Sequence, residues 1–160
     1  MTGTYAAAVQ RILIGRAIAS VGAVVAFAGT VLPWLRSGTR QRNSYEIFSL
    51  VDRLGISPSS LVGWGVRLWP VVPLLLASAV TMLWFPRRWF TGSVVAVAVI
   101  YTGSVSAAVR SAPSTSLISI EAGPLVTVVG AILLATGWVA GLTPGAHPHA
   151  APSRPLSNRQ

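Results

Sequence analysis

Long apolar runs separated by short polar breaks set the pattern of this chain. Crossing a hydrocarbon core about 30 Å thick takes roughly 20 apolar residues in a helix. Four runs meet that length, at 17–35, 61–85, 90–109 and 124–142, and predict transmembrane helices there. The exception is the segment from Asn43 to Gly55, where apolar and polar positions alternate at helical spacing. Ile47, Phe48, Leu50, Val51 and Leu54 share one side, with Tyr45, Glu46, Ser49, Asp52 and Arg53 opposite. Asn43 and Glu46 have the spacing of a capping box, and Gly55 is a natural stop. A short amphipathic helix over 44–54 would be marginal alone in water. It must lie on its own bundle, on lipid or on a partner. The predicted fold is therefore an all-α integral membrane protein with four transmembrane helices and a short amphipathic helix in the first external loop.

Each run carries local detail. In the first, Ala26-Phe27-Ala28 resembles a signal-cleavage site, but apolar residues continue through Thr30, Val31, Leu32 and Trp34, so an uncleaved anchor is expected. In the second, Pro70 and Pro73 predict a kink or a late start to the membrane portion, with Arg67 snorkelling to headgroups and Trp64 and Trp69 as interfacial anchors. Residues 86–89 read as a cytoplasmic turn. The third run is rich in small and hydroxylated residues, among them Gly92, Ser93, Thr102, Gly103, Ser104 and Ser106, which allow close helix approach. Tyr101 near its middle should find a polar partner. The external loop over 110–123 holds a short alternating stretch, Ser116 to Glu121, that reads as a strand. In the fourth run Pro124 suits a first helical turn, and Gly137 and Gly141 have GxxxG spacing, read as packing within the bundle first and as a partner face second. The Pro-, Ser- and Ala-rich tail over 143–160 is expected to be disordered. Its His147 and His149 make a weak ligand set, and no metal site or cofactor is predicted.

Composition agrees with a membrane class: 52% of residues are hydrophobic, 9% are charged, and mean hydropathy is +0.66. The net charge of +9 does not point to nucleic acid, because the arginines are dispersed between apolar runs rather than gathered on one patch. Arginine counts tie at six a side: Arg11, Arg16, Arg87, Arg88, Arg154 and Arg159 against Arg36, Arg40, Arg42, Arg53, Arg67 and Arg110. The first set flanks membrane ends without acids, while Glu46, Asp52 and Glu121 all fall on the other side. Both termini are therefore expected in the cytoplasm of a bacterial plasma membrane. There is no cysteine, and all twelve basic residues are arginine, the codon bias of a GC-rich genome.

No Asp, Glu, Lys or His falls inside a predicted span, which argues against proton- or ion-coupled transport. The motifs HExxH, GxSxG, the Walker loop and a GxGxxG in context are missing as well, so no enzyme is expected. Glu46 and Asp52 read as a solvated ion-pair face beside Arg42 and Arg53, not as an acid/base pair.

A resemblance adds to this. The stretch Trp34-Leu35-Arg36-Ser37-Gly38-Thr39-Arg40, then Arg42-Asn43-Ser44-Tyr45-Glu46 and Asp52-Arg53-Leu54-Gly55, with Gly123-Pro124 opening the last helix, resembles small actinobacterial four-helix membrane proteins. Within that group it is similar to the mycobacterial accessory subunits of Mce lipid importers. The resemblance covers the bundle and first external loop but not the tail. It implies a non-catalytic protein docked beside permease subunits, supporting assembly, stability or regulation of lipid import. Partner contacts are then expected at Ile47, Leu50, Val51 and Leu54, and at Gly137 and Gly141. Arg36, Arg40, Arg42 and Arg67 are the candidates for lipid headgroups. The competing expectation is a stand-alone carrier of lipid or another hydrophobic molecule, with a cleft beside Pro70 and Pro73.

Overall fold

The computed structural model describes residues 2–53, 61–85, 88–111 and 118–142. In order these form helix α1 (Thr2–Val31), strands β1 (Pro33–Ser37) and β2 (Arg40–Asn43), and helices α2 (Ser44–Arg53) and α3 (Leu61–Leu68). A 3-10 turn (Trp69–Val71), helix α4 (Val72–Trp84), helix α5 (Arg88–Arg110), strand β3 (Ile118–Ile120) and helix α6 (Gly123–Leu142) follow. Among the described residues three helical stretches are long and apolar enough to cross a membrane, Ala6–Val31, Phe90–Arg110 and Gly123–Leu142, and they give the chain the make-up of a membrane protein. A shorter apolar stretch, Trp69–Trp84, runs beside them.

The bundle is organised on the antiparallel contact of α1 with α6, its most extensive helix pairing. Gly15, Gly22 and Gly29 recur every seven residues on α1, and Gly123, Gly130 and Gly137 do the same on α6. A seven-residue stripe stays facing its partner along a pair of slightly supercoiled helices. A Cβ built on Gly15 would lie 2.8 Å from the Gly137 carbonyl oxygen, and one on Gly137 would lie 2.7 Å from that of Gly15. Gly22 and Gly130 are reciprocal in the same way, at 2.8 and 2.7 Å. Real Cβ atoms do not approach so closely, so the two backbones touch only because the side chains are missing. Ala19, Ala23 and Ala26 fill the remainder of the stripe and are fully or almost fully buried.

Along the seam the interior is therefore small or hydroxylated, with Thr30 and Thr127 lying among the alanines, while Val72, Leu76, Leu83, Val95 and Leu134 fill the rest of the core beside Thr102 and Ser106. The large apolar side chains Val21, Val24, Leu74, Ile100, Ile132 and Val139 face outward. So much apolar surface on the outside suits lipid, where it gains nothing by hiding and close backbone packing supplies the attraction.

Two boundaries differ from the sequence expectation. The first helix ends at Val31 rather than Leu35, because Pro33 has no N–H to continue the ladder and disfavours helix in the residue before it. The second apolar run is not one kinked helix: Pro70 lies in the 3-10 turn and Pro73 in the first turn of α4, so the run divides into α3 and α4. The fold is also not purely helical, since segments between the long helices build a three-stranded antiparallel sheet in the order β2-β1-β3. The β1–β2 hairpin turns on Gly38 and Thr39, with only Gly38 at positive φ (60°), the pattern of a two-residue II′ turn. Residue 54 and the 143–160 tail, on which other expectations fall, lie outside the described residues.

Replacing Gly22 or Gly130 by alanine should push α1 and α6 apart and cost about 1–3 kcal/mol. The same change at Gly103, where an added Cβ meets nothing within 4 Å, should be neutral or slightly stabilising through helix propensity. Thermal unfolding of the purified variants in detergent checks the contrast.

Candidate functional site

The most highly organised region is the end of the bundle where α1 stops and α2, α4 and α6 begin. An α-helix leaves its last carbonyls without intrahelical donors. At the end of α1 the carbonyl of Gly29 would ordinarily receive the N–H of residue 33, but that residue is proline. The Trp34 indole Nε1–H takes the place, donating to Gly29 O at 2.8 Å. The next carbonyl, Thr30 O, accepts from Ser44 Oγ at 2.6 Å, and Ser44 Oγ in turn accepts from Trp69 Nε1 at 2.9 Å. Thr30 Oγ1 donates to Phe27 O at 2.7 Å and is 3.3 Å from the Tyr45 hydroxyl, which is then the donor to it. This relay ties together the end of α1, the start of α2 and the turn before α4.

Aromatic rings close around the relay. Trp34, Phe48 and Trp69 meet edge to face with centroids 5.0–5.9 Å apart, and Tyr101 of α5 lies 5.9 Å from Trp69. The Tyr101 hydroxyl donates to Gly65 O of α3. Trp34 and Trp69 are wholly buried. Trp69 is thus not an interfacial anchor as expected: its N–H has a buried acceptor and its ring has aromatic neighbours. Trp64, the other expected anchor, is exposed. The sheet holds the cap on α6, since Glu121 N donates to Trp34 O at 3.0 Å and Gly123 packs against Trp34 and Pro33.

Helix α2 sits on this cap. Asn43 and Glu46 form the reciprocal pair, Glu46 N to Asn43 Oδ1 at 3.0 Å and Asn43 N to Glu46 Oε2 at 3.3 Å. Ile47 packs on the core cluster with Phe48, so the apolar side of α2 turns to its own bundle. Of the residues expected to meet a partner, Val51 is half-buried and Leu50 exposed, while Leu54 lies outside the described residues. Gly137 is sealed in the α1–α6 seam and offers no free face, and Gly141 faces Gly15. Arg36 and Arg40 are exposed on the hairpin, where Arg42 is half-buried. Arg67 is exposed and pairs with Asp52 at 3.3 Å.

Among the described residues, one cavity lies between two helices and another at the end of the bundle away from the cap. The first, of about 290 Å³ and almost entirely apolar, is an open groove between α1 and α4, lined by Ala23, Val24, Phe27, Pro73, Leu76 and Val80. The other, of about 170 Å³, opens at the far end of the bundle and includes Arg16. Among the described residues no three of His, Cys, Asp and Glu gather as a metal centre. The sequence reading did not find the Trp34–Ser44–Trp69 relay or the cavity at Arg16. The glycine seam carried a legible signal, the spacing of seven on two helices.

Compared with protein-family models, with curated proteins and with solved structures, the chain has no match. The actinobacterial resemblance accordingly rests on the quoted residues alone.

Ser44→Ala should leave both Thr30 O and the Trp69 N–H unpaired and cost about 1–3 kcal/mol. Asp52→Asn, which only loosens an exposed ion pair, should change stability by less than about 1 kcal/mol. Chemical unfolding followed by tryptophan fluorescence separates the two, because the buried indoles report unfolding in both and only the first variant should unfold at clearly lower denaturant.

Proposed function

We propose that the protein is a non-catalytic accessory subunit of a larger complex in the bacterial plasma membrane, crossing it four times with both termini in the cytoplasm. The fourth crossing is the segment Trp69–Trp84, about 24 Å of helix, which packs on α1 and α5 from the cap to the opposite end. The orientation rests on where the acids lie, since arginine number alone does not decide it: Glu46, Asp52 and Glu121 all sit at the cap, whereas Arg11, Arg16 and Arg88 at the other end have no acid among them. The amphipathic helix α2 is then external.

The observation that carries this reading is how the interior is filled. The buried polar side chains among the described residues are hydroxyls: Thr30, Ser44, Thr91, Thr102, Ser106 and Thr127. All but Ser106 donate to main-chain carbonyls. Such a bundle is a scaffold, and its working surfaces are its outside. Leu50 and Val51 on α2 and the apolar groove beside Pro73 are the surfaces suited to a membrane partner, with Arg36, Arg40 and Arg42 placed for anionic headgroups. The partner that the resemblance implies is the permease of an Mce-type lipid importer, whose assembly, stability or regulation the chain would support.

The groove also favours a second reading, a stand-alone carrier. Its 290 Å³ lies at the lower limit of small-molecule pockets, roughly 300–1,000 Å³, so it takes part of one acyl chain rather than a whole lipid. Size therefore favours docking over carriage.

Affinity purification of the full chain in mild detergent, followed by mass spectrometry, should recover larger membrane proteins in constant ratio. Migration alone, together with lipid transfer by the isolated protein in vesicles, would establish the carrier instead. Single cysteines at Ser37 and Ala7 should react with impermeant maleimide from opposite faces of the membrane, and labelling from one face would refute an odd number of crossings between them.

A further inference from the structure

The cavity at the end opposite the cap has a chemistry that the scaffold reading does not use. Helix α1 runs past the place where the other helices terminate. Its Gly15 lies against Gly141 in the last turn of α6, so Arg16 stands level with the end of α6, the end of α4 and the start of α5. A cavity of about 170 Å³ opens there, with Arg16, Met82, Phe85, Thr91, Trp138 and Gly141 in its lining. A single water needs roughly 10–15 Å³ of such space, so the cavity accepts a group of several heavy atoms.

Arg16 is half-buried and, among the described residues, has no hydrogen-bond or ion-pair partner. No carboxylate side chain can reach it. The chain has three acids, and all are at the cap: Glu46 and Asp52 on α2, and Glu121 bonded to Trp34. The ends of α4 and α6 bring carbonyls to the same rim, with the partial negative charge of helix C-termini, yet none accepts a hydrogen bond from Arg16 among the described residues. A partly desolvated guanidinium without a counter-ion is unfavourable. Its planar fork of donors matches a tetrahedral oxyanion.

The other polar groups sort themselves around it. The Thr91 hydroxyl donates to Met82 O at 3.0 Å and so is committed. The indole N–H of Trp138 has no partner among the described residues and is the second available donor, while its ring packs beside Gly92. Met82, Phe85 and the Trp138 ring supply apolar walls.

We propose that this cavity is a phosphate-binding site in which Arg16 grips the anion and Trp138 donates a second hydrogen bond. The diester phosphate of an anionic lipid headgroup and free inorganic phosphate share this chemistry. The site stands on the membrane character of the helices and does not depend on the accessory role, since it lies at the end of the bundle away from α2.

The test uses the full-length protein, with phosphatidylglycerol, phosphatidylcholine and inorganic phosphate as separate probes, read by native mass spectrometry and by thermal shift. Wild type should retain phosphatidylglycerol or phosphate and be stabilised by it. Arg16→Gln should weaken that binding roughly 10- to 100-fold, with Arg16→Lys recovering part of it through charge without the fork. Arg11→Gln, at an exposed position outside the cavity lining, should bind as wild type does. Trp138→Phe keeps the ring and loses the donor, and should weaken binding roughly 2- to 10-fold; it also serves if Arg16→Gln fails to fold. Stabilisation by phosphatidylglycerol over phosphatidylcholine, with inorganic phosphate inert, assigns the site to a headgroup. An equal shift with inorganic phosphate alone assigns it to the soluble ion. Equal binding by wild type, Arg16→Gln and Trp138→Phe, or no binding of any probe by wild type, overturns the proposal.

Discussion

The backbone contact between α1 and α6 is the constraint on which the remaining structure depends. Lipid offers helices no hydrophobic reward for associating, so attraction has to come from atoms that fit closely. Glycine at every seventh position on both helices brings main chain against main chain, with Gly15 facing the Gly137 carbonyl and Gly22 that of Gly130. Each pair is reciprocal, so the register of one helix on the other is set at two levels. The side chains displaced from the seam, such as Val21, Val24, Ile132 and Val139, are left on the outside, where lipid or a partner receives them.

The cap follows from how α1 is stopped. Pro33 removes a backbone donor and turns the chain into β1, which leaves carbonyls at a point that water cannot reach. Trp34 and Ser44 supply the missing donors, and Trp69 completes the relay by donating to Ser44. A residue that interrupts one helix thereby specifies where three other elements begin. The dependence runs in one direction: the cap is seated on the seam through Gly29 O and Gly123, so a change that separates α1 from α6 reaches α2 and the hairpin as well.

Length and hydropathy made the helical, membrane-like character legible, and capping chemistry made α2 legible through Asn43 and Glu46. Single-residue chemistry was easier to read than pairing. The strand over Ile118–Ile120 shows in the alternation of its neighbours, but nothing local says that its partner is Leu35 to Ser37, more than eighty positions earlier. Hydropathy carried the first helix through to Leu35 because Val31, Leu32 and Trp34 are as apolar as what precedes them, and it gave Pro33 too little weight. Trp69 looks like an interfacial tryptophan by its flanks, and only the fold brings Ser44 to its N–H. The cavity at Arg16 is legible only in three dimensions, since it takes the ends of α4 and α6 to show that no acid stands near that guanidinium.

Magic-angle-spinning NMR of the full chain in lipid bilayers, with carbon-13 in glycine and alanine, observes the seam directly. Through-space cross-peaks linking Gly22 with Gly130, Ala26 with Gly130 and Ala19 with Gly137 are the predicted result. Glycine resonances of α1 that correlate only with lipid, while those of α6 contact some other helix, would contradict it.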